Sequence, residues 1–571
     1  MKRTIWICFL YLFATAILPS CKRAEVEPRD LYNYDLVFDP VDQNAVLAQQ
    51  FLNNVYNFLP NGFNRISGDF LDAASGDAIP TFSNTPVSFY NNGLISTTNN
   101  PDAYFSNSYN GIRQANIFLA NSNKLYVPSS NLTRTTTWNA EVRFIRAFLY
   151  FELLKRYGGV PLIGDKIFSL DDNLQLPRNT YAECVSYIIS ECDAIKGQLN
   201  FEPIAATNLG RIPRGAAIAL KCRVYLYAAS PLFNGGGIPG DPNPALTGYP
   251  TADPTRWQNV ITAAEELIAL NAYSLVQSGK TGYINIFNAK QNSEVILAKQ
   301  AANDFNLETS QAPVGYNVNN SQSQGRTSPT QDFVDAFTMT NGLAITDPLS
   351  GYNPAAPYTN RDPRLDATVF YNGSAWLNRS GGVQTFEGGL DKPNNTVTIQ
   401  TRTGYYLRKF LSDFSTATSY SSQSHNFVYF RYGEILMNYA EALNEVGRTE
   451  DAVAQIGLIR KRAGILAGAT LRYGIPVGIS QTSMRTLIQN ERRIELSFEE
   501  HRFWDIRRWK IANAELNKTL SGMQITKTAG GTFTYQVVPV VTITFQDKLY
   551  HMPIPYNETV TDANLTQNYG W

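Results

Sequence analysis

The densest group of side chains able to do chemistry lies near the C-terminus, where Glu491, Arg492, Arg493, Glu495, Glu499, Glu500, Arg502, Asp505, Arg507 and Arg508 fall within eighteen positions. Paired-carboxylate catalysis needs two carboxyl groups facing each other across a cleft roughly 5–10 Å wide. Glu491 and Glu495 are four residues apart and share one helix face, which suits ion pairing with neighbouring arginines. Alternating Arg and Glu, flanked by Trp504 and Trp509, therefore reads as a device that locks the C-terminal segment onto a scaffold. His425, His501 and His551 lie tens of residues apart without metal-ligand spacing. There is no GxSxG elbow, HExxH pair, phosphate loop or repeated CxxC. Asp69, Asp72 and Asp77 are spaced closely enough for calcium but lack the EF-hand pattern, and solvated loop carboxylates are the plainer reading. No enzyme, metal or cofactor is expected.

Cys21 offers a different chemistry. Lys2 and Arg3 precede an apolar run from Ile5 to Ile17, and Leu18-Pro19-Ser20-Cys21 follows. This is a secretory signal over residues 1–20 ending in a lipobox, whose thiol takes diacylglycerol before cleavage. The rival is an ordinary signal with an incidental cysteine; Pro19 is the one atypical lipobox position. A tri-acylated terminus supplies the several chains that stable anchoring needs. Residues 21–43, with Pro28, Pro40 and mixed charge, read as a lipidated tether, and no later stretch is long and apolar enough to span a bilayer. Cys184, Cys192 and Cys222 remain. The first two lie about 12 Å apart along a helix, too far to bridge each other. Either could pair with Cys222, and buried thiols are the simpler expectation.

Forty-eight basic residues balance forty-eight acidic ones, and loss of the signal leaves 46 against 48. That excludes the electrostatic footprint of a nucleic-acid binder. Aromatics make up 12% of the chain and charged residues only 17%, a balance that leans toward an extracytoplasmic, hydrogen-bonding surface. Sugars bind by stacking their C–H faces on aromatic rings while amides and carboxylates meet the hydroxyls.

These groups need a frame. Apolar periodicity predicts helices over Trp138–Tyr157, stopped by Gly158-Gly159-Val160-Pro161, then Thr180–Leu199, Arg214–Ala229 and Trp257–Leu270. The pattern returns at Tyr432–Val446, Glu450–Ala463 and Ser483–Phe498. Alanine-rich neighbouring helices pack in the style of tetratricopeptide hairpins. Between the two groups, residues 232–256 and 271–425 are rich in Gly, Pro, Asn, Ser and Thr, with short strand-like runs such as Glu294–Ala298 and Ala367–Phe370. Recognition is expected there and on the loops of residues 60–110, because long ordered loops on a rigid support commonly carry binding surfaces. Tyr283, Tyr316 and Trp376 lie in this middle region as ligand candidates, with core packing the commoner fate of such rings.

The sequence resembles the SusD/RagB family of lipoproteins from Bacteroidetes. The blocks that carry the resemblance occur in family order: Cys21, Tyr109–Asn116 (YNGIRQAN), Ala140–Phe148 (AEVRFIRAF) continuing to Tyr157–Leu162 (YGGVPL), and Arg214–Ala217 with Arg223. Pro329–Gln331, Arg361–Arg364 (RDPR), Arg431–Leu436 (RYGEIL), Asn490–Leu496 (NERRIEL), His501–Trp509 (HRFWDIRRW) and Leu549–Pro555 (LYHMPIP) follow.

The resemblance implies a mainly α fold: a tetratricopeptide-like helical-pair scaffold with long loop-rich insertions and a few short strands. It divides the mature chain into an N-terminal helical region, 44–230, and a region with variable ligand-binding loops and C-terminal helical pairs, 231–571. It implies a non-catalytic surface lipoprotein of the outer membrane that binds an oligo- or polysaccharide and delivers it to a SusC-type TonB-dependent transporter, closing over the barrel as a lid. A peptide-binding role of the RagB type is the alternative. Family members carry an aromatic shortly before an Asn ahead of the Tyr109 block, which points to Phe105 and Asn110, with Tyr104 beside them; ordinary packing before a helix is the competing account.

Overall fold

The computed structural model describes residues 34–277, 279–318, 321–393, 399–414 and 420–571. Cys21 and the expected signal lie outside the described residues. The chain is 41% helix and 10% strand, which makes it mainly α.

The scaffold is built from α1 (Val46–Tyr56), α2 (Phe105–Asn121), α3 (Arg134–Tyr157), α4 (Tyr181–Ile195), α5 (Arg214–Ala229) and α6 (Arg256–Ile268), and later α7 (Tyr432–Glu445), α8 (Thr449–Ala463), α9 (Gln481–Glu495) and α10 (Arg502–Arg508). Successive helices pack as neighbours from α2 through α5; α5 then packs on α6, α6 on α7, and α7 on both α8 and α9. The α6–α7 contact fuses the two helical groups into one solenoid-like body. Small residues make this close stacking feasible: Ala216, Ala217, Ala219, Ala263, Ala264, Ala440 and Ala442 are all fully buried.

Local chemistry sets the helix ends. Thr180 caps α4 through a reciprocal box, its hydroxyl accepting from the Glu183 amide at 3.2 Å while the Glu183 carboxylate accepts from the Thr180 amide at 2.7 Å. Gly158 ends α3 at φ 79°, and a side chain there would put its Cβ 2.4 Å from the Leu246 carbonyl oxygen. The expected helix over Ser483–Phe498 begins and ends earlier, because Ser480 caps α9 and Phe498 and Glu500 adopt left-handed backbone angles.

The tether expectation needs correcting at its C-terminal end. Phe38 is fully buried, with its ring 5.6 Å from those of both Phe51 and Phe118, so the packed body begins before residue 43. The main core also runs from Phe38 to Leu565, drawing on both sides of residue 230, so the two regions share one interior.

A second core gathers beneath the middle region, around Phe70, Tyr283, Phe333, Phe370, Trp376, Tyr406 and Phe410. Antiparallel pairs frame it: β1 (Ala78–Pro80) with β3 (Thr327–Pro329), and β2 (Val295–Lys299) with β4 (Phe427–Arg431). A longer hairpin, β5 (Thr519–Lys527) with β6 (Phe533–Thr542), covers one side. The "few short strands" of the sequence reading therefore miss this hairpin, whose strands are nine and ten residues long.

A buried charge network joins the middle region to the helices. Arg431 donates to Glu294 and Glu495 at 2.7 Å each and to Glu499 at 2.7 and 2.8 Å. Arg364 bonds Asp362, Glu491 and Glu495, while Arg460 reaches Glu491 and Arg462 reaches Glu294 and Glu495. Arg492 holds Asp505, and Arg508 with the Trp509 indole holds Glu441. The C-terminal charges thus lock the segment through ion pairs as expected, and the network they form is buried.

Candidate ligand-binding groove

An open groove of about 770 Å³ is lined by Thr81–Thr85, Arg326, Lys392, Gln400–Arg402 and Val538–Val540. Each wall has a specific support. Pairing of β1 with β3 continues as the Thr81 amide donates to the Arg326 carbonyl at 2.8 Å, and the Thr81 hydroxyl meets Ser328 Oγ at 2.9 Å. This sets the 81–85 loop against Arg326. The Arg326 guanidinium lies 5.1 Å from the centre of the Phe82 ring and is held by the Ser67 carbonyl at 2.7 Å and by Asp69 at 3.3 Å.

The opposite wall depends on the hairpin. The Met523 amide donates to the Thr403 carbonyl at 2.7 Å, and a Cβ on Gly522 would fall 2.8 Å from Thr403 Cα, so only a bare backbone lets β5 approach so closely. Seating β5 there carries Val538, Pro539 and Val540 of β6 to the groove edge opposite Gln400–Arg402. Thr401 Oγ accepts from the amides of Thr403, Gly404 and Tyr405, which fixes the turn that presents Arg402.

The groove mixes one half-buried aromatic ring, hydroxyls, amides and cations. Burial lowers the Arg402 guanidinium below its ordinary range, and burial lowers the Lys392 ammonium with Glu387 pulling partly back. Such a surface can stack a sugar ring on Phe82 and exchange hydrogen bonds with hydroxyls through Asn84, Gln400 and the basic side chains.

The residues singled out from sequence fall elsewhere. Phe105 opens α2 and is 5% exposed, its ring 4.9 Å from Tyr109 and 5.6 Å from Tyr157. Phe105 and exposed Asn110 line a smaller cleft of about 340 Å³, shared with Arg113, Phe168 and Glu558. Tyr104 is half-buried under the Arg156 guanidinium, 4.7 Å from its ring centre, and does not line that cleft. Tyr283, Tyr316 and Trp376 need correction as ligand contacts: they are 1%, 2% and 2% exposed, all within the second core. The Tyr283 hydroxyl donates to the Glu495 carbonyl and accepts from Lys409, both at 2.8 Å, and the Tyr316 and Trp376 rings pack 4.8 Å apart. Their faces are covered by protein and offer nothing to a sugar.

The three aspartates are not solvated loop carboxylates either. Asp69 pairs with Arg326 and Asp77 with Arg493, while Asp72 is 1% exposed with neither carboxylate oxygen bonded. Burial, with Glu500 and Asp77 adding to it, pushes the Asp72 carboxyl well above its usual range. No group of three or more potential metal ligands occurs among the described residues. Cys184, Cys192 and Cys222 are free and buried.

Groove residues Phe82, Arg326, Lys392 and Arg402 were not picked out in the sequence, although they fall inside the loop regions 60–110 and 271–425. The local signal for one of them was present: Phe82 is followed directly by Ser83-Asn84, an aromatic beside hydrogen-bonding side chains.

A paired-helix scaffold carrying an open, mixed aromatic and polar groove on its insertions defines a ligand-binding protein. Residues 293–571 match the family described as "SusD family", and residues 30–226 match one described as "Starch-binding associating with outer membrane". The chain is a SusD/RagB family protein, and that family is one of non-catalytic, carbohydrate-binding proteins associated with the outer membrane. It is 23% identical over 429 residues to the SusD-like protein P2 of Formosa agariphila, covering 74% of this chain and 73% of the relative. A SusD-like protein of Bacteroides fragilis superposes with a TM-score of 0.76 at 26% identity, over 93% of this chain and 98% of that one. A SusD-like carbohydrate binding protein of the same species shares the fold with a TM-score of 0.71 at 21% identity, over 92% and 99%.

Proposed function

We propose that this chain is a lipid-anchored surface protein that captures an oligo- or polysaccharide in the Phe82–Arg402 groove and passes it to a SusC-type TonB-dependent transporter. The observation that carries this reading is the groove itself: about 770 Å³, open along one side, with an aromatic ring, amides and cations on loops that two strand pairings hold in place. An open trough suits a polymer threading through it, where a closed pocket would suit a small metabolite. The carbohydrate binding described for the B. fragilis protein of the same fold supports the ligand class. The lipobox at Cys21 supports the anchor, and the paired helices, opposite in character to the loop-rich face, are the surface we assign to the transporter.

The Phe105–Asn110 cleft is kept as a second, smaller contact, favoured by the fact that both residues line one depression. The test is affinity electrophoresis of the mature protein in gels containing individual polysaccharides, alongside growth of a deletion strain on the same polymers. Retardation by at least one polymer and failure to grow on it are expected. Binding only to peptide pools, with unimpaired growth on every glycan, would replace the saccharide reading with the peptide one.

A further inference from the structure

The cations of the groove are not balanced by the carboxylates around it. Of the residues that line it, Arg326, Lys392 and Arg402 are basic and none is acidic. Arg326 is already committed to Asp69 and to the Ser67 carbonyl. Arg402 has one weak contact, to the Pro80 carbonyl at 3.5 Å, and no carboxylate within ion-pairing distance among the described residues. Lys392 likewise has no ion pair there. The neighbouring Asp391 is fully buried and spent on Arg379 and on the amides of Gly315 at 3.0 Å and Gln384 at 2.7 Å. Glu387, which attracts Lys392 from a distance, accepts from the Gln524 side-chain amide at 2.8 Å.

Half-burying two cations with no carboxylate in ion-pairing distance among the described residues is unfavourable, since desolvation opposes the charge and the weak Pro80 contact and distant Glu387 return little of the energy. Elsewhere buried cations are either paired with carboxylates, as around Glu495, or, like Arg361 and Arg507, held by two or more short hydrogen bonds to backbone carbonyls, whereas Arg402 has a single contact at 3.5 Å. The charges are also local, because the protein as a whole is close to neutral.

We infer that the saccharide bound in this groove is anionic, carrying carboxylate or sulfate groups that Arg402 and Lys392 neutralise while Phe82 meets the sugar ring. The inference rests on the saccharide-binding reading above and names its substrate class. A guanidinium offers a planar fork to a carboxylate or sulfate, and an ammonium a mobile point charge, so the two together accept anionic groups at slightly varying spacing along a chain.

The test uses matched polymers in which only the charge changes. Polygalacturonate is compared with its fully methyl-esterified form, and κ-carrageenan with its desulfated galactan, with laminarin and starch as neutral references, by titration calorimetry at low and high salt. The result expected is binding to one of the two acidic polymers, weakened at least tenfold by removal of its charge and markedly by added salt; which of the two binds separates carboxylate from sulfate. Arg402→Gln and Lys392→Gln are each expected to lose about tenfold on the acidic polymer with an unchanged melting temperature, and Arg402→Lys to recover part of it. Equal affinity for charged and neutralised forms, or acidic binding untouched by both substitutions, overturns the inference. Tight binding to neutral polymers alone overturns the anionic assignment and leaves saccharide capture standing; no binding to any polymer removes both.

Discussion

Arg431 and Glu495 meet at 2.7 Å in the interior, and each is held by further partners, Arg431 by Glu294 and Glu499 and Glu495 by Arg364 and Arg462. Strand β4 is thereby tied to helix α9 by buried charge as well as by the cores they share. Burial alone would raise the Glu495 carboxyl, but Arg462, Arg431 and Arg364 together outweigh it and hold it below its ordinary range. Replacing Arg431 with Met leaves three carboxylates short of a partner. A loss of about 3–5 kcal/mol is expected from uncompensated buried charge, read from urea denaturation. A loss under 1 kcal/mol would show that the network is not what couples strand and helix.

Acid should weaken the fold before these carboxylates titrate, through His551. Its ring is buried with neither nitrogen bonded, and burial, aided by the charge of Arg178, pulls it down to about 3. The folded state holds a neutral imidazole where the unfolded chain binds a proton near pH 6.5, so the stabilisation is complete above that pH. It is lost as pH falls from 6.5 toward 3, at up to about 1.4 kcal/mol per pH unit. His551→Gln should reduce the slope of the stability profile between pH 6.5 and 5 without abolishing it, because burial, aided by Arg223 and Arg492, pulls His501 down in the same direction. An unchanged slope in the variant would assign acid sensitivity to other groups.

The helical frame was legible because its signals are local. The Pro213-Arg214 start and the Ser230-Pro231 stop bound α5 at the positions observed, and Thr180 with Glu183 announces the cap of α4. The β5–β6 hairpin was not legible: Gly522, which close contact with Thr403 demands, interrupts the inner strand, and the outer strand is apolar on a partly exposed face. The groove was legible only as a region. Its residues are brought together from near positions 82, 326, 392, 402 and 540 by pairings that no local pattern encodes, and the same blindness made buried Asp72 look like a solvated loop residue.

Trp376 is the clearest case of an aromatic that reads as a binding platform and serves as core. Its indole donates to the Ser412 carbonyl at 3.2 Å, and its ring contacts Tyr316, Phe370 and Tyr420. Trp376→Ala should cost about 3–5 kcal/mol through cavity formation. Saccharide affinity of the fraction that remains folded, measured by calorimetry at reduced temperature, should stay within twofold of the parent; a selective loss of affinity with stability intact would return Trp376 to the ligand site.

The anchor proposed at Cys21 is expected to be separable from folding, because Phe38 is the first core residue among the described residues. Cys21→Ala should move the protein from the detergent phase to the aqueous phase in Triton X-114 partitioning, with its melting temperature unchanged. Persistent partitioning into detergent would mean that some other feature holds it to the membrane.

The two concavities make opposite demands on single substitutions. If the Phe82 ring carries the sugar, Phe82→Ala should weaken the preferred polysaccharide about tenfold, or ~1.4 kcal/mol, while stability changes little because the ring is only half-buried. Asn110 is exposed and points into the smaller cleft, where a sugar hydroxyl is the partner it would have to lose. Asn110→Ala should therefore leave affinity within twofold if the larger groove dominates. Calorimetry on both variants with the same polymer decides between them: a tenfold loss in Asn110→Ala beside an unaffected Phe82→Ala would move the principal site to the cleft at the start of α2, where the sequence first pointed.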